Sequence, residues 1–387
     1  MRLCLVSLDF APARTSGLTI YAERLARLLA NHGHAVTVVA ARRPGLPGRS
    51  FADGIAVERL PIGRSDWIGY GLRAARHVAR RRARGDFDLV HFLDVHFAWA
   101  YRGPFVASLL QSFRQRLTAD GGQPYASSWP NRVFRRAYYS GALRCMERPA
   151  LRRAGALVSL SEATRQEFVR HYHIRPERIM LTPPSIDPAR FAPPPAETVA
   201  VLRRRLGLEG RRVLLHVGFS TPRKGLEYLV AALPALPADA CLVLVGTWEP
   251  GYREKVRAAA GAAWERVLET GSVPDAEMPI YFALAELLTL PSLLEGFGLP
   301  ALEAMACGTP VIATTAGALP EVVGPCGILV PPRDTPALVA AIRALLEDEA
   351  RRAHLARCGR ERARGAFSPE REYATLMRAY RQMTDVM

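Results

Sequence analysis

Two glutamates, Glu295 and Glu303, stand at the ends of the string Glu-Gly-Phe-Gly-Leu-Pro-Ala-Leu-Glu. The apolar run before it, Leu287 to Leu290, stops at Pro291, so the string is predicted to leave a buried strand and enter a helix. Open α/β sheets place ligands at that edge. Glycines 296 and 298 let backbone approach a ligand, Pro300 suits the first helical turn, where its missing N–H costs nothing, and Gly308 closes the helix. The start of such a helix offers unpaired N–H groups and a positive dipole end, which suits a phosphate. A carboxylate suits sugar hydroxyls instead, because it accepts at two oxygens. A sugar nucleotide carries both groups and would use the whole stretch.

A second stretch has the same logic. Gly218-Phe-Ser-Thr-Pro-Arg-Lys-Gly225 follows the apolar run Val213 to Val217 and opens a helix. A departing diphosphate concentrates negative charge, so its site needs cations and N–H donors. Arg223 and Lys224 supply the cations; the bland alternative, a basic helix start without a ligand, is disfavoured by the helix dipole. In Thr15-Ser-Gly-Leu-Thr19, Gly17 precedes a helix after the first apolar run, where a plain turn is the competing explanation.

The elements that must position these residues alternate between strand and helix from Leu3 to Leu181 and again from Val213 onward, which means mainly parallel sheets covered on both faces. A chain of 387 residues suits two domains. Prolines from Pro183 to Pro195 mark the junction, giving residues 1–190, residues 191–370 and a last helix, 371–387.

Residues 292 to 313 taken whole, with Gly317-Ala-Leu-Pro-Glu-Val-Val-Gly324 and Gly327-Ile-Leu-Val-Pro-Pro332, resemble the signature of retaining family-4 glycosyltransferases of the GT-B fold. The resemblance implies two Rossmann-like domains facing each other across a cleft, the first binding an acceptor and the second a nucleoside-diphosphate sugar, with the last helix crossing back to the first. It implies that Glu295 binds donor-sugar hydroxyls near the anomeric carbon, that Glu303 binds the ribose, and that backbone groups of Gly296, Phe297, Gly298 and Leu299 meet sugar and phosphate. Lys224 and Arg223 match the family's Lys-Gly element at the diphosphate, and Gly17 matches the glycine that reaches it from the other domain. Val273 falls in the loop that holds the nucleobase; UDP- and GDP-sugars both remain open as donors. Retention would follow a front-face route in which the leaving phosphate helps deprotonate the acceptor, with no metal ion required.

The pattern departs in two places. Phe219 stands where many members carry arginine, and Arg223 is the substitute. Leu110 stands where many carry an acceptor-side histidine; His96, Gln111 or no side chain fills that role, and a structural histidine is the competing explanation for both His96 and His91. Gly85-Asp-Phe-Asp88 has the look of a metal-diphosphate pair, but it precedes a buried strand and reads as strand-entry acids, so no metal site is assigned.

The bulk numbers frame this. Six cysteines without metal-type spacing, mostly in apolar runs, are expected to be reduced and buried in a cytoplasmic protein. The run from Arg2 to Leu8 is too short for a signal peptide, and Pro279, Glu286 and Pro291 interrupt the most apolar window. The net charge of +16 is one-sided: residues 1–190 hold 30 arginines against 14 acidic residues, whereas residues 191–387 balance 22 with 22. Arg73, Arg76, Arg80, Arg81, Arg82 and Arg84, opposite Leu72, Ala75, Val78 and Ala79, suit an anionic membrane surface, as do Arg132, Arg135 and Arg136; a solvated helix explains them as well. A sugar, lipid-linked or small-molecule acceptor is therefore expected, with peripheral attachment to the inner membrane face. The rivals are an epimerase or hydrolase on the same fold and an Arg-rich nucleic-acid binder, for which the phosphate stretches in the neutral half have no use. Neither first turn carries the dinucleotide Gly-x-Gly-x-x-Gly, which counts against a dehydrogenase.

Overall fold

In the computed structural model, which describes residues 1–12, 17–62, 67–118 and 137–384, short apolar runs lie side by side as parallel strands. The chain divides into two units, Met1–Pro184 with Pro369–Met387, and Ser185–Ser368.

Unit one contains β1 (Arg2–Val6), β2 (Ala35–Ala41), β3 (Arg49–Ala52), β4 (Ile55–Leu60), β5 (Leu89–Phe92), β6 (Val106–Leu109), β7 (Ala156–Ser159) and β8 (Ile179–Leu181). Their order is β3-β4-β2-β1-β5-β6-β7-β8, parallel except for β3 against β4. Strands β5, β6 and β7 are buried along their whole length, as a sheet covered on both faces requires. The sequence reading does not anticipate β3, because Arg-Ser-Phe-Ala has no buried face. It forms by a two-residue hairpin, Asp53-Gly54, with both residues at positive φ.

Unit two contains β9 (Arg212–Val217), β10 (Ala240–Val245), β11 (Val267–Gly271), β12 (Leu287–Leu290), β13 (Val311–Thr314) and β14 (Ile328–Val330). The order β11-β10-β9-β12-β13-β14 is parallel throughout. An unanticipated helix, Ala196–Arg205, starts directly after the proline run with Pro195 as its N-cap. Among the parallel strands of each sheet the order reverses once, between β1 and β5 and between β9 and β12. Connections leave these neighbours in opposite directions, which opens a crevice at their carboxyl ends.

The last helix, Pro369–Thr384, belongs to unit one. Its Leu376, Ala379, Tyr380 and Met383 recur at helical spacing and are buried, and the Tyr380 hydroxyl lies 2.9 Å from Nδ1 of His91.

Three expectations change. Cys326 and Cys358 are not reduced thiols: they form a disulfide between the turn Gly324–Cys326 and the helix Glu349–Ala366. Their Cα atoms are 5.1 Å apart, in normal bridging range, and a sequence separation of 32 carries no motif to announce it. Among the free cysteines, Cys4, Cys241 and Cys307 are buried, but Cys145 is exposed. The apolar stripe of the helix Trp67–Ala83 is partly taken up by the core of unit one, where Ala75 and Val78 are buried; Leu72 is half-buried, Ala79 is exposed, and Arg81 pairs with Glu58 and Asp86. Arg132, Arg135 and Arg136 lie outside the described residues.

Candidate active site

Lys224 and Glu295 leave β9 and β12 respectively, the two strands at the reversal point of unit two. Their loops are stitched together by backbone. The Leu293 N–H donates to the Arg223 carbonyl at 2.7 Å, and Gly225, at φ +64°, lies so close to the other loop that a Cβ would sit 2.2 Å from the Pro291 carbonyl oxygen. Only glycine satisfies both the dihedral and the contact. The result is an ion pair, Lys224 Nζ to Glu295 Oε2 at 2.5 Å, with side chains 6% and 11% exposed. Burial alone would push the Glu295 carboxyl up, but Lys224 and then Arg223 outweigh it and hold the carboxyl below its usual range. Burial lowers the Lys224 ammonium, against the pull of Glu295. Chemically, the ammonium can take a phosphate oxygen, and the carboxylate can accept from two hydroxyls.

The remaining residues of the string support that pair. Gly317, at φ +57°, lies under Glu295, where a Cβ would meet the Glu295 carbonyl oxygen at 1.9 Å. The helix Leu299–Cys307 starts from Gly298 with no side-chain cap, so the N–H end is not satisfied by a side chain. The Phe297 ring packs edge-on against Phe367, with centroids 5.9 Å apart. Glu303 is buried one turn into the helix. Arg223 turns back on its own fold, Nη1 lying 3.4 Å from the Leu294 carbonyl. Val273 follows β11, at the same sheet edge, two strands from β9.

The sequence reading misses His216, the one ring in the otherwise apolar run of β9. Its Nδ1 lies 3.0 Å from the Thr289 carbonyl, which can only accept, so Nδ1 carries the proton. Nε2 is then a buried acceptor without a partner among the described residues, and burial followed by the Lys224 charge lowers the ring to about 4. Thr221 Oγ1 is likewise buried without a partner among the described residues. A polar residue inside a parallel core strand was the available signal.

In unit one, Gly17 opens the helix Gly17–Asn31 and is exposed, with nothing described within 4 Å of an added Cβ. His96 follows β5, but it is 3% exposed and both ring nitrogens are engaged: Nδ1 lies 2.6 Å from Asp94 and Nε2 lies 3.0 Å from Glu147. Burial alone would lower this ring; the two carboxylates outweigh it and raise it to about 9. Neither ring nitrogen is left for a sugar hydroxyl, and the arrangement fits a structural histidine. His91 is fully buried between Tyr380 and Ser108. Gln111 is half-buried just after β6. Asp86 and Asp88 are occupied by Arg81 and Arg2.

A family model described as Glycosyltransferase Family 4 matches residues 15–190, and one described as Glycosyl transferases group 1 matches residues 211–348. The chain is 34% identical over 310 residues to the MMP alpha-(1->4)-mannosyltransferase of Mycolicibacterium hassiacum, spanning 77% of this chain and 71% of that one. The chain belongs to the family-4 glycosyltransferases. This glycosyltransferase is also 31% identical over 379 residues to the GDP-mannose-dependent alpha-(1-6)-phosphatidylinositol monomannoside mannosyltransferase of Mycobacterium tuberculosis, across 93% of each chain. The sucrose-phosphate synthase of Thermosynechococcus elongatus matches it with a TM-score of 0.81 at 25% identity, across all of both chains. The glycosyltransferase has the GT-B fold. No helix among its described residues is long and apolar enough to cross a membrane.

Proposed function

We propose that this glycosyltransferase moves a hexose from a nucleoside-diphosphate sugar to an acceptor hydroxyl with retention of anomeric configuration, and that GDP-mannose is the donor to try first. The observation that carries this reading is the buried Lys224–Glu295 pair at the β9/β12 reversal. Such a pair is weak as a stabilising device, because desolvation offsets the attraction. It makes sense where a ligand carries a group for each partner: a phosphate for the ammonium and hydroxyls for the carboxylate. The named donor and sugar of the mycobacterial relatives supply the choice of GDP-mannose.

In this reading unit two holds the donor. Glu295 orients the sugar, Glu303 the ribose, and the loop of Val273 the base, while Gly296, Phe297, Gly298 and Leu299 contribute backbone groups. As the bond from the anomeric carbon to the diphosphate oxygen breaks, Lys224, Arg223 and the start of the 299–307 helix stabilise the charge that grows there. The freed phosphate oxygen takes the acceptor proton, so no side chain is required at Leu110. Unit one holds the acceptor, a sugar or lipid-linked glycan.

A melting screen over a panel of nucleotide sugars tests the donor, since binding to the native state raises stability by mass action. GDP-mannose should raise the melting temperature of the native chain and not that of Lys224→Met. With an acceptor present, NMR of the product should show the donor's anomeric configuration. Rapid turnover of the donor without any acceptor would favour the epimerase or hydrolase instead.

A further inference from the structure

Away from the reversal point of unit one, a cavity of about 420 Å³ opens beside the edge strand β8, three strands from β5. Four arginines line it. Arg148 and Arg152 come from the helix Arg148–Arg153, and Arg175 and Arg178 flank the turn that leads into β8. His171 and His173 come from the end of the helix Glu162–Tyr172, and Leu151 and Ile174 are the buried apolar part of the wall. We propose that this cavity binds a phosphate-bearing ligand, at a site separate from the donor phosphates.

Three observations support it. Among the described residues no carboxylate forms an ion pair with any of the four arginines, in a chain where Arg2, Arg43, Arg81, Arg212 and Arg253 all have one. The ordinary explanation, arginines satisfying helix-end carbonyls, accounts for Arg178, which donates to Ala154 O at 3.1 Å. It does not account for Arg148, Arg152 and Arg175, which make no such bond among the described residues. Second, His173 closes its helix in the left-handed conformation, φ 55° and ψ 36°, where glycine is the usual residue and any other pays on the order of 1 kcal/mol. That strain places an imidazole on the cavity wall. Third, the surroundings of the cavity are positive: burial, then Arg114 and Arg170 outside its lining, hold His171 on its wall below the usual value. A phosphate would give the unpaired arginines a counter-charge, and guanidinium groups are the side chains that grip it in two-point fashion. The volume is within the range of about 300–1,000 Å³ found for small-molecule sites.

The test is calorimetric titration of the full chain with inorganic pyrophosphate near physiological ionic strength, in a background of Lys224→Met, Glu295→Gln and Arg223→Gln that removes the unit-two phosphate side chains and leaves neither partner of the buried pair alone. Binding should persist in that background, and adding Arg148→Gln with Arg175→Gln, both at exposed positions, should weaken it about tenfold. A parallel arm follows co-sedimentation with phosphatidylcholine vesicles containing phosphatidylglycerol. Loss of pyrophosphate binding with unchanged sedimentation identifies a soluble phosphate ligand; loss of sedimentation, with pyrophosphate displacing vesicles from the native chain, identifies a lipid headgroup. The proposal is overturned if neither arm responds, or if Arg343→Gln with Arg357→Gln, an equal loss of charge on exposed positions of unit two, has the same effect. A missing donor site would change only the response to nucleotide sugars, so the two readings fail separately.

Discussion

At the scale of single residues, Lys224 and Glu295 keep their charges because each has the other. Glu295→Gln leaves a buried ammonium without a counter-charge, and Lys224→Met leaves a buried carboxylate with only Arg223 and Ser292 to offset its burial. Breaking a buried pair from one side costs about 3–5 kcal/mol, whereas replacing both partners is often close to neutral. The double variant should therefore melt well above either single variant, yet all three should lose at least about a hundredfold in kcat, because the charge growing on the diphosphate has lost its partner. Melting curves and initial rates together check this; a double variant as unstable as the singles would deny the pair its mutual role. His96 makes a different prediction. Its folded value, about 9, lies above the ordinary 6.5, so the stability it contributes is complete below 6.5 and is lost as the pH rises through 9. The melting temperature of the native chain should fall across that window, and His96→Gln should start lower and show a shallower fall.

At the scale of elements, the two loops of the active site are placed by glycines more than by side-chain contacts. Gly225→Ala puts a methyl group into the Pro291 carbonyl at a positive φ, so the loop after β9 has to retreat from the loop after β12 and carry Lys224 with it. Gly45 is a control, at φ +78° with nothing within 4 Å of an added Cβ. Gly45→Ala should cost only the dihedral, about 1–2 kcal/mol, with the KM for donor unchanged; Gly225→Ala should cost more and raise that KM severalfold. Equal effects of the two substitutions on KM would dismiss the stitching. Glycines of this kind are what made the site readable from sequence, because a lysine beside Gly225 and a glutamate beside Gly296 report loop geometry as well as chemistry. The environment of His96 was not readable, since Glu147 arrives from 51 positions away through the π turn Leu143–Glu147. Nor was His216, whose meaning depends on which strand lies beside β9. The strands buried on both faces were legible as apolar runs; β3 was not, because an exposed edge strand held by a turn has no apolar period to show.

At the scale of the whole molecule, the sequence order of the chain is not its order in space. The charge asymmetry divides at residue 190, close to the unit boundary at Pro184, yet the final segment returns to unit one. That return follows from packing. Leu376, Ala379, Tyr380 and Met383 are each at most 1% exposed, Tyr380 meets His91 of β5, and Met383 fills the space beside Gly155, where an added Cβ would come within 3.0 Å of it. At about 1.5–3 kcal/mol for each large buried side chain, the helix contributes stability comparable to the whole 5–15 kcal/mol of a typical domain. Ending the chain after Ser368 should therefore abolish cooperative unfolding of unit one while unit two, which keeps all of its strands and the Lys224–Glu295 pair, stays folded. Hydrogen exchange read by mass spectrometry checks this directly. Amides of β1, β5 and β6 should lose protection in the shortened chain, those of β9 and β12 should keep it, and sustained protection in the first group would show that the returning helix is an accessory to unit one and not part of its core.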